Sequence, residues 1–185
     1  CSPTRLALIT GRYQYRLPGG LDDPLGRDPR LGLPPEVPTF PDLLKRAGYA
    51  TSLVGKWHLG GLPEFGPRKS GYDRFWGIYQ GGADYFRHGM SIRGKFTHDL
   101  WENETETHRQ GYLTHLITEQ SFSEIARLAS GNRPFLLSVH YTAPHWPWEG
   151  IEDEAIAADI RDSFHYDGGS NATYAAMVKS LDLGV

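Results

Sequence analysis

The chain has 185 residues, 39% of them apolar and 12% aromatic, which is enough to build the hydrophobic core of one ordinary domain. Twenty-two acidic and nineteen basic residues leave a formal net charge of −3, without the basic stripe that nucleic-acid binding requires. No stretch approaches the roughly 20 consecutive apolar residues of a membrane-spanning helix. Composition therefore favours a globular protein with neither a nucleic-acid partner nor a membrane span.

The chain begins at Cys1, its only cysteine, and carries neither an initiator methionine nor a signal peptide. We therefore expect residues 1–185 to be an internal fragment of a single domain, truncated at both ends. One cysteine excludes an internal disulfide framework but does not identify the compartment.

Turn and capping residues divide the first half of the chain into predicted elements. Pro near a start and Gly past an end are typical of a short helix, and Thr before an apolar run is typical of a capped one. A stretch rich in Gly, Pro and Asp without periodicity indicates a long loop. These patterns predict a helix over 2–10 ended by Gly11, a loop over 13–38, a helix over 40–47 capped by Thr39, and a buried strand over 49–54.

Apolar periodicity organises the second half. It predicts short strands over 75–78 and 85–86, a helix over 112–128, a buried strand over 134–141 and a final helix over 172–183. The residues predicted to form the apolar faces of the two helices are Leu113, Leu116, Ile117, Phe122, Ile125 and Leu128, and Tyr174, Met177, Val178 and Leu181.

The alternation of helices and strands predicts an α/β domain in which helices cover a mainly parallel sheet. Ligands in such sheets gather beyond the carboxyl ends of the strands. Residues 55–60 and 142–147 follow the two predicted buried strands, so they are the candidate site loops.

The first five residues place a potential nucleophile beside a cation. Cys1 stands where a helix is predicted to begin, where unpaired N–H groups and the helix dipole favour an anion, and Arg5 lies one turn onward. A buried cysteine next to a solvated arginine would give the same short pattern. Cysteine phosphatases also pair Cys with Arg, but with a longer spacing than the three residues found here.

Cys1-Ser2-Pro3-Thr4-Arg5, continued through Leu6-Ala7-Leu8-Ile9-Thr10-Gly11-Arg12, resembles the signature of the type I, formylglycine-dependent sulfatases. The resemblance implies an alkaline-phosphatase-like α/β sandwich. It also implies that a sulfatase-maturing enzyme oxidises Cys1 to the aldehyde formylglycine.

Two further blocks are similar to sequences of the same family. In Gly55-Lys56-Trp57-His58-Leu59-Gly60 the resemblance implies that Lys56 contacts the sulfate and that His58 hydrogen-bonds the formylglycine hydrate. In His140-Tyr141-Thr142-Ala143-Pro144-His145-Trp146-Pro147 it implies that His145 contacts the sulfate ester near its leaving oxygen. His140 itself is predicted to pack or to bond locally.

The implied activity is that of an arylsulfatase-like sulfuric ester hydrolase, which cleaves sulfate monoesters through a formylglycine hydrate and a covalent sulfo-enzyme. The implied catalytic residues are Cys1, Arg5, Lys56, His58 and His145, of which Lys56 and His145 also bind substrate. The family binds a divalent metal, usually calcium, through an Asp pair upstream of the Cys and an Asp-Asn or Asp-His pair far downstream, and neither pair lies in this chain. Only Cys1, as formylglycine, is therefore expected to ligate the metal here, and the isolated fragment is expected to be inactive.

The resemblance further implies aryl or carbohydrate sulfates as substrates and an extracytoplasmic setting. Two alternatives stay open: a phosphomonoester or phosphodiester hydrolase of the same superfamily, and a non-catalytic sulfate- or glycan-binding homologue. A second metal site is not predicted, because the spacings of His88, His98, His108 and His115 match no tight ligand pattern.

Overall fold

A computed structural model of the chain describes residues 1–21, 24–25, 28–166 and 168–185. Its α-helices are Ser2–Thr10 (α1), Phe40–Arg46 (α2), Leu113–Ala129 (α3), Glu154–Ala157 (α4) and Asn171–Asp182 (α5). Its strands are Ala50–Lys56 (β1), Arg74–Ile78 (β2), Gly89–Ile92 (β3), Lys95–His98 (β4), Trp101–Glu102 (β5), Thr105–Glu106 (β6) and Phe135–His140 (β7). Short 3₁₀ turns occupy Gln14–Arg16, Pro18–Gly20 and Pro67–Ser70. None of the helices in the described ranges has the length and apolar character that crossing a bilayer demands.

In the described part of the chain the main sheet has five strands in the order β6-β5-β2-β1-β7. β1 lies at its centre and runs parallel to both β2 and β7, whereas β5 and β6 are antiparallel additions at one edge. β3 and β4 form a separate antiparallel hairpin. The predicted α/β class with a mainly parallel sheet is confirmed.

Helices cover both faces of the sheet. Successive side chains of a strand point to opposite faces, so β1 contributes to a core on each side. Leu53 packs with Leu6 and Ile9 of α1 in one core cluster. Its neighbour Val54 packs with α3 and with Met177 of α5 in the other. β1 is therefore buried along its whole length, as a central parallel strand should be.

The predicted local signals in the first half are confirmed. α1 ends at Gly11, which has a left-handed backbone (φ 64°) and donates its N–H to Ala7 O. Thr39 caps α2 by accepting the N–H of Asp42. The loop predicted over 13–38 contains two of the 3₁₀ turns, and its residues 22, 23, 26 and 27 lie outside the described ranges.

Part of the predicted burial is wrong. Among the described strands β7 pairs with β1 alone, and its side chains Phe135 and Val139 are exposed instead of buried. The apolar faces of α3 and α5 are narrower than predicted, because each helix meets the rest of the protein along one stripe. The exposed residues are Phe122, Ile125, Tyr174 and Val178.

The predicted strand over 85–86 is also wrong. These residues form a turn, because Asp84 Oδ1 accepts the N–H groups of Phe86 and Arg87 at 3.0 and 2.8 Å. The hairpins formed by β3 with β4 and by β5 with β6 were not predicted. β1 extends further than predicted, so Gly55 and Lys56 belong to the strand itself.

Glu149 is a buried carboxyl group in the loop that follows β7. Its side chain is fully buried, and Oε2 accepts the N–H of Tyr85 at 2.6 Å. Oε1 has no hydrogen-bond partner within the described ranges. Burial, and then the nearby carboxylate of Asp84, raise the pKa of Glu149 to about 8. The folded protein therefore holds this group in its neutral form at neutral pH.

The variant Glu149→Gln is expected to raise the melting temperature at about pH 8 and to change it little near the ordinary carboxyl pKa of 4.5. The folded state keeps the proton of Glu149 up to about pH 8, whereas the unfolded chain releases it near pH 4.5. Wild-type stability therefore falls as pH rises through this window, and an amide removes that loss.

Thermal unfolding as a function of pH tests this expectation, with Glu152→Gln as the control because Glu152 is an exposed glutamate nearby. Parallel pH profiles for the wild-type protein and Glu149→Gln would show that Glu149 does not carry the proton.

Candidate anion-binding site

Three segments of the chain converge at one edge of the main sheet. Cys1 and Arg5 come from the start of α1, Lys56 and His58 from the end of β1, and His145 from the loop after β7. β1 and β7 are parallel neighbours, so their carboxyl ends lie together. The fold thus brings all five predicted site residues to the same edge.

The thiol of Cys1 lies between two of the other predicted residues. Lys56 Nζ donates to Cys1 Sγ at 3.1 Å, and His58 Nδ1 lies 3.1 Å from the same sulfur. His58 Nε2 lies 3.1 Å from Leu25 O, and a carbonyl oxygen only accepts, so we assign the ring proton to Nε2. The lone pair of Nδ1 then faces position 1, where it can accept a proton.

His58 is held in a left-handed backbone conformation, with φ at 56°. Such a conformation costs on the order of 1 kcal/mol for a residue other than glycine. Its N–H donates to Tyr79 O at 3.0 Å, which ties it to the residue after β2. Together with the Nε2 bond to Leu25, this contact fixes the imidazole relative to Cys1.

Arg5 and His140 form a second part of the network. Arg5 Nη1 donates to Lys56 O at 2.9 Å and lies 3.0 Å from His140 Nδ1. His140 Nδ1 also lies 3.1 Å from Lys56 O, so this ring nitrogen, the guanidinium and the carbonyl oxygen lie within hydrogen-bond distance of one another. His140 therefore packs against the Arg5 guanidinium, a contact that the sequence analysis did not assign. The one available signal was its position at the end of a strand that precedes a candidate site loop.

Basic and imidazole side chains of the described residues lie close together at this site. Burial, and then the charge of Arg5, lower the pKa of Lys56 to about 7. Burial, and then the charge of Lys56, lower the pKa of His58 to about 4. Burial also lowers the pKa of His145 below its ordinary value. Within the described residues no acidic side chain contributes to these shifts, and an anionic ligand would raise all three pKa values.

His145 joins Cys1 and His58 in the lining of one cavity of about 220 Å³, which we call the central cavity. His145 Nδ1 donates to Trp146 O at 2.7 Å, which leaves Nε2 as the ring atom for a ligand. Trp146 and Phe164 form an aromatic wall of the same cavity, with their ring centroids 5.0 Å apart.

Two consecutive glycines that the sequence analysis passed over position both imidazoles. A Cβ atom on Gly81 would lie 2.5 Å from His58 Cε1, and one on Gly82 would lie 2.9 Å from His145 Nδ1. Any side chain here would displace a ring. The Gly-Gly pair shortly after the predicted strand over 75–78 was the only sequence signal.

The described residues do not by themselves form a calcium site. Calcium takes six to eight oxygen ligands, whereas the side chains around position 1 are cations and imidazoles. Position 1, converted to an oxygen-bearing group, could give one ligand. The only cluster of metal-ligating side chains found in the described ranges includes none of these site residues.

Comparisons with known proteins agree with the fold and identify a family. A sulfatase family model matches residues 1–185. Arylsulfatase J of Mus musculus is 33% identical over 190 residues, which cover 98% of this chain and 30% of that protein. N-acetylglucosamine-6-O-sulfatase of Bacteroides thetaiotaomicron is 30% identical over 149 residues, which cover 79% of this chain and 22% of that protein. The chain thus spans less than a third of the length of these two curated relatives.

The crystal structure of Ps i-CgsB in complex with k-i-k-neocarrahexaose superimposes with a TM-score of 0.82 at 29% identity. The match covers all of this chain and 42% of that one. A putative sulfatase, yidJ of Bacteroides fragilis, shares the fold with a TM-score of 0.66 at 19% identity. These likenesses confirm the alkaline-phosphatase-like fold class that was predicted.

Binding of inorganic sulfate is expected to weaken by about tenfold per pH unit above the Lys56 pKa of about 7. The anion binds the protonated form of Lys56, so above this pH binding must also take up a proton. In Lys56→Arg the guanidinium stays charged, and the dependence on pH should flatten.

Isothermal titration calorimetry of sulfate across this range measures the effect. The control is Lys69→Arg, since Lys69 is an exposed lysine in the 3₁₀ turn at Pro67–Ser70. A wild-type Kd that does not change above about pH 7 would remove Lys56 as the titrating group.

Proposed function

The chain belongs to the sulfatase family, and on that premise we propose that the protein hydrolyses sulfate monoesters. The observation that carries the proposal is the position of Cys1 Sγ, 3.1 Å from both Lys56 Nζ and His58 Nδ1. A thiol needs no such pair of polar neighbours. An oxygen nucleophile that attacks an anionic ester needs both a cation and a base.

We propose that a separate maturation enzyme converts Cys1 to formylglycine with the help of an external oxidant. When present, the hydrated aldehyde supplies one hydroxyl as nucleophile and a second hydroxyl whose deprotonation releases sulfate. The surroundings fit such a group, because they offer a donor at Lys56 and an acceptor at His58 around one side-chain atom of position 1.

Charge stabilisation falls to Lys56 and Arg5. A sulfate monoester spreads its negative charge over several oxygens, so preorganised cations lower the energy of the transition state without reorganisation. Both side chains are held by contacts that precede binding, since Arg5 Nη1 donates to Lys56 O and Lys56 Nζ donates to Cys1 Sγ. His140 Nδ1 lies 3.0 Å from Arg5 Nη1, so we propose His140 as a positioning residue.

Proton transfer falls to the two imidazoles of the central cavity. His58 Nδ1 carries a lone pair toward position 1, so it suits the base that takes a proton from a hydroxyl there. His145 offers Nε2 to the cavity and suits the donor that protonates the departing alcohol oxygen. A bound sulfate would offset the charges of Lys56 and Arg5 and so favour protonation of His145.

Carbohydrate sulfates are the first substrates to test. One relative is named for sulfate removal from N-acetylglucosamine, and one structural neighbour holds an oligosaccharide. Arylsulfatase J is also a relative, so an aryl sulfate belongs in the same screen.

Mass spectrometry of the peptide that contains Cys1 tests the proposal, with the full-length protein produced alongside a sulfatase-maturing enzyme. We expect an aldehyde at position 1 and sulfate release from a panel of sulfate esters. Cys1→Ser and Cys1→Ala should not turn over, because neither offers a second hydroxyl on the same carbon. Sustained turnover by Cys1→Ser, or an unmodified thiol beside a working positive control, would favour a phosphohydrolase or a binding protein instead.

The variant Gly81→Ala should lower kcat at least tenfold with little change in KM. Its Cβ would lie 2.5 Å from His58 Cε1 and push the imidazole away from position 1, while the contacts that gather the sulfate stay in place. Steady-state kinetics on matured protein measure this effect. Gly61→Ala is the matched control, because a Cβ there meets nothing within 4 Å. Equal activity of the two variants would contradict the positioning of His58 by Gly81.

A further inference from the structure

Three metal-ligating side chains meet away from the central site. His98 ends β4, Glu106 ends β6 and His108 follows closely. One ligand atom of each lies within 4.8 Å of the other two. Their spacing in sequence gave no signal, because the hairpin of β5 and β6 turns the chain back toward the end of β4. We propose that His98, Glu106 and His108 form a binding site for one Zn²⁺ ion.

The contact between Glu106 and His108 has the separation of two zinc ligands. His108 Nε2 lies 3.4 Å from Glu106 Oε1. Two ligands at about 2.1 Å from a tetrahedral ion lie about 3.4 Å apart. The same distance is longer than a good N–H···O hydrogen bond. The two atoms are therefore close together without a strong bond that zinc would have to break.

One ring nitrogen of His98 is held by a backbone carbonyl, which leaves the other nitrogen as the possible metal ligand. Its Nε2 lies 2.8 Å from Thr107 O, and a carbonyl oxygen only accepts, so Nε2 carries the proton and Nδ1 the lone pair. Ligating histidines commonly donate their other N–H in this way, which fixes the ring orientation. Thr107 stands between Glu106 and His108 in the chain, so this bond anchors His98 to the segment that carries the other two ligands.

The side chains can complete the geometry at little cost. The rings of His98 and His108 are stacked, with centroids 4.2 Å apart and planes 25° apart, so the His108 ring has to turn for the lone pairs of both rings to meet at one ion. The side chains of His108 and Glu106 are 74% and 46% exposed, and both can rotate in solvent. No movement of the core is required.

The ligand set selects zinc over calcium. Two imidazole nitrogens and one carboxylate are a common protein ligand set for Zn²⁺, with water in the fourth position, whereas calcium takes only oxygen ligands in larger number. The neighbouring carboxylate of Asp99 is already used, because it accepts N–H groups from Tyr79, Gln80 and Trp101. The fourth position is thus left to water or to a ligand.

The proposed zinc site borders a second cavity, which adjoins the central cavity. His98 lines a cavity of about 300 Å³ that shares Gln80 and Met90 with the central cavity. Zinc would tie the end of β4 to β6 and thereby fix one wall of this space. Neither the metal site nor its test depends on hydrolytic activity.

Zinc titration of the full-length Cys1→Ala protein, in saturating Ca²⁺, tests the proposal. The alanine removes Cys1 Sγ, which with His58 could also take zinc, and calcium occupies sites that prefer oxygen ligands. We expect one equivalent of Zn²⁺ to bind, and Kd to rise at least tenfold in His108→Ala and in Glu106→Gln. Cobalt should give the visible absorption of a tetrahedral ion, which both variants should lose.

His165→Ala is the matched control, because His165 is an equally exposed histidine whose contact is with Asp162. Melting temperatures without metal should be the same for all variants, since the changed side chains are exposed. Absence of zinc binding, or unchanged affinity in His108→Ala and Glu106→Gln, would overturn the proposal.

Discussion

Lys56 ends the central strand with 3% of its surface exposed, and its carbonyl oxygen accepts a hydrogen bond from Arg5. This bond places the Arg5 guanidinium close to the Lys56 side chain. No acidic side chain of the described residues offsets the charge of either group. Burying charge in this way costs free energy, and it is tolerated where a ligand supplies the missing charge. The packing around the site fixes the positions of these two side chains.

The scaffold meets that need by rigid packing on both faces of the sheet. Leu6 and Ile9 pack α1 into one core cluster, and this packing fixes the position of Arg5 relative to the end of β1. The parallel register places His140 of β7 opposite Gly55 of β1 and therefore beside the Lys56 carbonyl. Because these contacts exist before any ligand binds, little reorganisation remains when an anion arrives.

The elements with strong local signals were predictable. Gly11 and Thr39 show why, since a helix end and a cap are properties of a few adjacent residues. The five residues that the family resemblance marks do meet at one edge of the sheet, and their roles stay predictions. Burial was less predictable, because Phe135 and Phe122 are apolar by type and exposed by tertiary placement. The same limit applies to His140, whose contact with Arg5 joins residues far apart in the chain. The spacing of residues along the sequence cannot show such a contact, because it depends on the register between β1 and β7.

Burial also determines the pH range in which each of the two groups that contact Cys1, Lys56 and His58, has the charge that its proposed role requires. Lys56 must be charged to attract an anion, and with its pKa at about 7 it is charged below that pH. His58 must be neutral to accept a proton, and with its pKa at about 4 it is neutral above that pH. Both conditions hold together between these values, in a mildly acidic window. A bound anion raises both pKa values, and the increase is larger for the group that lies closer to the anion. The pH window therefore moves to higher pH. The site therefore couples binding to catalysis through charge: the anion that Lys56 attracts keeps Lys56 protonated, while the low starting pKa of His58 keeps a base available.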